Sequence, residues 1–178
     1  MDDPNRGPDR GRSSSDSRPR SDVRAFLDTV VGETEATAAS YRDAGWAVTE
    51  LHPGDVRPVP AYLDTGGTDR AGLDVLVPDG EFEAVERLVE EGSFGAHDTY
   101  GARRAEGDQT VFAVVVMRDE SAAEAVAIPV YYAVAEAAPM LERVDARGEM
   151  RLYVRPPSTD RRVEFAQENP ESLLPDGA

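Results

Sequence analysis

One stretch limits the possible fold more than any other, and it runs from Thr110 to Val134. Its first half is apolar on both alternating faces of an extended chain. One face carries Phe112, Val114 and Val116, and the other carries Val111, Ala113, Val115 and Met117. A strand without a polar face must be covered on both sides. The sequence therefore predicts that Thr110–Met117 is the central strand of a sheet.

A second strand follows after a short polar interruption at Asp119-Glu120-Ser121. Alternation resumes at Val126 and continues to Tyr132, which predicts a hairpin. The opposite face of this second strand is smaller, with Ala125 and Ala127. Small residues there predict either close packing of a helix or a position at the sheet edge. Pro129 favours the edge, because proline cannot donate a ladder hydrogen bond.

Helical periodicity predicts three helices. The first is capped by Ser21 or Asp22 and ends before Gly45, a residue suited to a left-handed cap. Its apolar positions recur at helical spacing: Phe26/Leu27, Val30/Val31, Thr34, Ala38 and Tyr41. The second is Gly80–Glu91, capped by Asp79, and the third runs from about Glu136 to just before Gly148.

The remaining alternating segments predict strands. They are Trp46–Leu51, a short edge strand within Val56–Tyr62, Leu73–Val77, Phe94–Arg104, Glu149–Arg155 and Arg162–Ala166. Short turns between neighbouring strands favour a mainly antiparallel sheet with about three helices packed on it, an α+β fold. This order of elements resembles the layout of profilin-like and roadblock-like domains, a likeness of architecture that transfers no function.

Residues 1–20 are polar after the initiator Met and carry four acids and five Arg. Such a segment cannot bury apolar surface, so it is predicted to be a disordered tail. Residues 21–175 are predicted to form a single α+β domain. The last residues, from Asn169 to Pro175, are expected to lay Leu173 and Leu174 on the body of that domain.

The charge of the chain indicates its environment. Asp and Glu number 35 against 19 Arg and no Lys, giving a net charge of −16. Such a surplus repels itself in dilute buffer. In molar salt the Debye length falls to about 3 Å and screens this repulsion. The composition therefore favours a halophilic, salt-adapted cytoplasm, and the alternative is an ordinary acidic protein with a coding bias for Arg over Lys.

Composition also excludes several classes of site. The absence of Cys excludes disulfides, thiolate catalysis and cysteine-bound zinc. No apolar run reaches the length of a membrane span, and Met1–Asp22 has no hydrophobic segment for a signal peptide. The predicted location is the cytoplasm.

Several short motifs are distinctive: Asp43-Ala44-Gly45-Trp46, the run from Gly72 to Asp79, Val126-Ala127-Ile128, Val163-Glu164-Phe165, Asn169-Pro170-Glu171 and Leu173-Leu174-Pro175. In these motifs the chain resembles an uncharacterised haloarchaeal protein family, a domain of unknown function, over residues 21–175. The resemblance implies a salt-adapted lineage. It implies no activity and no functional residue.

The first candidate site is the acidic loop with His52, Asp55, Asp64 and Asp69, close in sequence to Asp74. Carboxylates beside a His could hold a hard divalent cation. No spacing matches a calcium-binding loop, however, and an acidic protein carries solvated carboxylates throughout. The sequence therefore predicts no metal and no cofactor.

The second candidate is His97-Asp98 with Tyr100. Together with Asp74, His97 and Asp98 are the candidate catalytic residues, because His and Asp can transfer protons if a substrate lies against them. A dipeptide is a short motif, and the alternative is a strand histidine on a solvated face.

The third candidate is a basic face near the C-terminus. Arg151, Tyr153 and Arg155 alternate on one side of a strand, and Arg161 and Arg162 follow the next turn. Such a face could bind phosphate, a nucleotide or single-stranded nucleic acid. The alternative is a solvated face whose Arg residues pair with neighbouring acids. The net negative charge makes nucleic acid the less favoured ligand.

Nucleophile-elbow, phosphate-loop and dinucleotide motifs are absent from the sequence. The leading hypothesis is a non-catalytic interaction or regulatory module that binds another protein through a sheet edge or a long helix. The alternative is a small hydrolase or metal-dependent enzyme that uses carboxylates of the 52–74 loop with His97. The sequence predicts no membrane partner and leaves the oligomeric state open.

Overall fold

The computed structural model describes residues 18–61, 68–104 and 110–175. Within them lie three α-helices: α1 (Arg18–Asp43), α2 (Asp79–Glu91) and α3 (Ala138–Arg147). The eight strands are β1 (Ala47–Glu50), β2 (Asp55–Val59), β3 (Gly72–Leu76), β4 (Ala96–Arg104), β5 (Thr110–Asp119), β6 (Glu124–Ala133), β7 (Glu149–Arg155) and β8 (Val163–Glu168). Two short 3-10 helices, Val134–Glu136 and Pro170–Leu173, complete the described elements.

The strands form two mixed sheets of four strands each. The first sheet has the order β1-β6-β5-β4, and the second has the order β2-β3-β7-β8. The pairs β1–β6 and β3–β7 are parallel, and the other pairs are antiparallel. The predicted α+β class and its three helices are confirmed. The strands are divided between two sheets, however, where the sequence predicted one.

Strand β5 is an interior strand, as predicted, because it lies between β6 and β4. Val111, Ala113, Val115 and Met117 belong to the core between the two sheets. Phe112, Val114 and Val116 belong to a second cluster beneath α1, with Val30 and Phe26. These seven side chains of β5 are all buried. The double apolar face is therefore covered by a sheet on one side and by a helix on the other.

Strand β6 has small residues where α1 packs, and Ala125 and Ala127 are fully buried there. The predicted helix packing is confirmed, but the edge position is wrong. The strand β1 pairs with Glu124–Ala127 in parallel. Pro129 lies beyond that pairing, since the last bond runs from the Leu51 N–H to the Ala127 carbonyl at 3.0 Å. Its missing donor therefore interrupts no ladder between β1 and β6.

Helix termini differ from the sequence predictions in two places. The helix α1 begins at Arg18, three residues before the predicted cap at Ser21, so the polar tail predicted over residues 1–20 overlaps the helix. Residues 1–17 lie outside the described part of the chain. In α2 the predicted cap is wrong, because Pro78 occupies the cap position without a side-chain bond. Asp79 is the first helical residue, and its carboxylate accepts a hydrogen bond from the Ser158 hydroxyl at 2.7 Å.

Other local predictions are confirmed. Gly45 has the left-handed φ of 94° that ends α1. The strand β2 is an edge strand that contains Pro58. The strand β7 has the predicted bounds, Glu149–Arg155. Leu173 is buried in the core between the sheets and Leu174 packs against it.

Candidate functional site

An apolar groove lies between α1 and the place where β1 ends. Its cavity volume is about 100 Å³. We call it the α1 groove, and its lining residues are Leu27, Val30, Val31, Thr34 and Glu35 of α1, Glu50, Leu51, His52 and Pro53 after β1, and Pro129 and Tyr131 of β6. A small-molecule site usually has several hundred Å³. The α1 groove therefore has room for one aliphatic or aromatic side chain.

The rim of the α1 groove is an exposed apolar surface. Leu27 and Val31 expose 42% and 45% of their accessible area. Their neighbours Phe26 and Val30 pack on the first sheet, where the Phe26 ring contacts the rings of Phe112 and Tyr131 edge to face. The apolar side of α1 thus extends beyond the residues that contact the sheet, and its exposed part lies at the groove.

The groove exists because the chain leaves the first sheet after β1. Two carboxylates hold this crossover in place. Glu50 pairs with Arg42 of α1 at 2.9 Å. Glu81 of α2 accepts the His52 backbone N–H at 2.6 Å and lies 3.3 Å from the His52 ring. On the floor, burial and then the charge of Asp55 raise the pKa of Tyr131. The floor side chain is therefore neutral at ordinary pH.

A polar cluster ties the other end of α1 to β4. The Tyr41 hydroxyl donates to Asp98 at 3.0 Å and lies 2.8 Å from the Tyr100 hydroxyl. Arg118 also contacts the Asp98 carboxylate, at 3.1 Å. Burial, followed by these hydrogen bonds, raises the pKa of Tyr41 far above its usual range. These contacts join α1 to β4 through a protonated Tyr41.

The structure separates the two members of the His97-Asp98 candidate. His97 pairs with Met117, whose side chain faces the second sheet, whereas Asp98 pairs with Val116 on the α1 side. Neighbouring residues of a strand point to opposite faces, so the dipeptide cannot act as one unit. Asp74, the third catalytic candidate, lies on β3 of the other sheet and pairs with Arg155 at 2.7 Å.

The acidic-loop candidate is also dispersed. His52 contacts Glu81, and Asp55 pairs with Arg57 at 2.5 Å. The backbone carbonyl of Asp69 accepts a hydrogen bond from Arg147 of α3. Asp64 lies outside the described residues. Within the described part of the chain, no three His, Asp or Glu side chains come together as a metal-binding group.

The basic candidate face is present, with its charges paired. As predicted, Arg151, Tyr153 and Arg155 lie on one face of β7. The carboxylate contacts are Arg151 to Glu149 at 2.7 Å and to Glu164 at 3.1 Å, Arg155 to Asp74 at 2.7 Å, Arg161 to Glu86 at 2.6 Å and Arg162 to Glu164 at 3.1 Å. The bond from Glu149 raises the pKa of Arg151 further. Each of these Arg side chains therefore has a carboxylate partner within the protein.

Tyr153 is the centre of that face, although it is only 2% exposed. Two guanidinium groups lie over its ring, that of Arg70 at 5.5 Å and that of Arg162 at 5.8 Å from the ring centroid. Its hydroxyl accepts the Ala71 backbone N–H at 3.0 Å. A base or another aromatic ring could not stack on Tyr153 without displacing an Arg side chain.

Comparison with known families matches residues 14–175 to the model of a family of unknown function, DUF7529. The chain belongs to this family. The match begins before α1 and spans every helix and strand described above. No curated protein and no solved structure matches the chain. The profilin-like or roadblock-like layout therefore stays a hypothesis from the order of the elements. In the described residues no helix is both long and apolar enough to cross a membrane.

Proposed function

We propose that this member of DUF7529 is a non-catalytic protein-binding module that docks its partner in the α1 groove. The observation that carries the proposal is the exposed pair Leu27 and Val31 beside an apolar cavity of about 100 Å³. Exposed apolar side chains that adjoin a matching cavity are typical of interaction sites.

The energetics support docking of one side chain. Full burial of an aliphatic side chain contributes on the order of 1.5–3 kcal/mol. A partner that fills the cavity would also cover Leu27 and Val31, whose exposed fractions leave nearly half of each available. Association itself costs on the order of 4–15 kcal/mol, so further contacts around the rim of the groove must add to these contributions in a weak, reversible complex.

The other candidate surfaces support catalysis or anion binding less well. The acid–base candidates His97, Asp98 and Asp74 lie on different faces or sheets. The Arg residues of the basic face are engaged with carboxylates of the same chain. A binding role for α1 requires no rearrangement of either region.

Site-specific crosslinking tests the proposal. A photoreactive residue replaces Val31 at the groove, and a matched variant replaces Thr29, which is exposed elsewhere on α1. Crosslinking in cells at native salt is expected to yield a discrete adduct from position 31 and none from position 29. The purified adduct partner should then lose binding to a Leu27→Asp variant. Equal yields from the two positions, or no adduct, would count against the α1 groove.

We propose further that the protein works in a haloarchaeal, salt-rich cytoplasm. The support is the net charge of −16, with Arg as the basic residue in place of Lys. Circular dichroism against KCl is expected to show a fold that forms as the Debye length shrinks from about 10 Å at 0.1 M to about 3 Å at 1 M. A structure fully formed without salt would contradict this part of the proposal.

A further inference from the structure

The protein that fills the α1 groove is, we propose, a second copy of this chain. The two copies pair through antiparallel α1 helices around a two-fold axis. This inference rests on the proposed function and names its partner. It is drawn from the order of charged and apolar residues along one side of α1.

That side of α1 is self-complementary. Arg24, Leu27, Val31 and Glu35 are spaced by three, four and four residues, so they share one side of the helix. All four side chains are exposed. Along the described part of the chain, no ion pair joins Arg24 or Glu35 to another residue. Asp28, also exposed, lies on the same side one turn after Arg24. The surface therefore has Arg24 at one end, Leu27 and Val31 with Asp28 beside them in the centre, and Glu35 at the other end.

A two-fold axis turns this order into matching contacts. In a symmetric dimer, a contact of one residue with a second implies the reciprocal contact. If α1 pairs antiparallel with its copy, Arg24 of each chain lies opposite Glu35 of the other. The two ion pairs flank an apolar centre that holds Leu27 and Val31 from both copies. A parallel arrangement would instead place Arg24 against Arg24.

The same register directs a side chain into the α1 groove. When Arg24 of one copy lies opposite Glu35 of the other, Leu27 of the second copy lies opposite position 32 of the first. Leu27 is on the groove side of the helix, so it approaches between Val31 and Thr34, both of which line the cavity. The cavity volume of about 100 Å³ suits one leucine side chain. The charge register and the cavity thus select the same alignment.

Charge determines how the association depends on salt. Each copy carries a net charge of −16, so approach of two copies is opposed in dilute buffer. Added salt screens this long-range repulsion and leaves the apolar contact in place. Association is therefore expected to tighten with KCl. A single helix pair buries less than about 1,200 Å², which corresponds to a weak and reversible dimer.

The test is sedimentation velocity of the full chain at about 2 M KCl, where charge repulsion is screened, over a wide range of protein concentration. The expected result is a monomer–dimer equilibrium that Val31→Glu weakens at least tenfold, because it places an unpaired charge in the apolar centre. The matched control is Thr29→Glu, which adds the same charge on the other side of α1 and is expected to leave the equilibrium unchanged.

A charge exchange tests the antiparallel register at the lowest KCl concentration at which the dimer still forms, because higher salt would also screen the contacts between the exchanged charges. Arg24→Glu and Glu35→Arg should each weaken the dimer, because each places like charges together. The double variant should restore the dimer to within about threefold of the original affinity. Circular dichroism of every variant shows whether the fold is intact. Weakening without restoration would overturn the proposed register.

The outcomes separate this inference from the proposed function. A chain that stays monomeric at every concentration, with its fold intact, overturns the second-copy inference. If position 31 then crosslinks to a different protein, the docking role of the α1 groove stands. If it crosslinks to nothing, both proposals fail. A dimer that tolerates Val31→Glu places the contact elsewhere and also overturns the inference.

Discussion

The outer faces of the two sheets are shielded from solvent in different ways. The first sheet presents Phe112, Val114 and Val116, and α1 covers them. The second presents Arg151, Tyr153 and Arg155. Carboxylates of the same chain pair with the two Arg side chains, and a guanidinium group lies over the Tyr153 ring. An apolar face requires another element, whereas a charged face can satisfy itself. The helix α1 that covers the apolar face has an exposed side of its own, and Leu27 and Val31 on that side are accessible to solvent.

The largest expected effect comes from the helix-covered face. Phe112→Ala should lower the free energy of unfolding by about 3–5 kcal/mol, because it removes a buried ring and leaves a cavity under α1. The Phe26 edge contact, 5.9 Å between centroids, is lost as well. Chemical denaturation in molar KCl measures the change. Phe112→Leu, which keeps most of the volume, is the control and should cost much less. A loss below about 1 kcal/mol for the Ala variant would show that α1 does not depend on this face.

A smaller effect is expected on the charged face. Asp74→Ala should cost about 1 kcal/mol, because Arg155 loses a partner whose side chain is only 14% exposed. The cost is reduced because the buried Oδ1 of Asp74 has no hydrogen-bond partner and its removal is favourable.

The control for Asp74 is its neighbour on the same sheet. Asp55 pairs with Arg57, which is 73% exposed, so Asp55→Ala should change the free energy of unfolding by less than about 0.5 kcal/mol. The two variants are compared by denaturation at the same KCl concentration. Equal effects would mean that burial does not distinguish the ion pairs of this face.

The smallest effect is expected at the exposed side of α1. Leu27→Gln should alter the free energy of unfolding by less than about 0.5 kcal/mol, because the side chain is already 42% exposed. The measurement is made at low protein concentration, where association does not contribute. A loss of more than about 1 kcal/mol would assign Leu27 to the fold and would break the contrast between the two faces.

The sequence predicted those parts of the fold that depend on local periodicity. The β5–β6 hairpin and the double apolar face of β5 could be read directly, because neighbouring residues carry the signal. The division into two sheets could not. The strand β3 pairs with β7, which follows 79 positions later, and no local pattern reports such a pairing. The edge assignment of β6 failed for the same reason, since its second partner, β1, lies far upstream.

The candidate sites show the same limit. Alternation placed Arg151, Tyr153 and Arg155 on one face, but it could not show the carboxylates that pair with the two Arg side chains. The doublets Phe26-Leu27 and Val30-Val31 fitted a helical stripe equally well with either member inward. The structure places Phe26 and Val30 on the sheet and leaves Leu27 and Val31 exposed. The α1 groove is lined by residues of α1, of the segment after β1 and of β6, and no single motif encodes it.

The parallel pairing of β1 with β6 has a consequence for synthesis on the ribosome. Ala47 pairs with Glu124, so 77 positions separate the partners. The helix α1 and the strand β1 emerge first, yet the surface they cover is translated much later. Until then their apolar side chains have no final contact, and contacts between such distant positions form slowly. A nascent chain stopped before β6 should therefore be open to proteases and chaperones, and the acidic composition would help to keep it in solution during that interval.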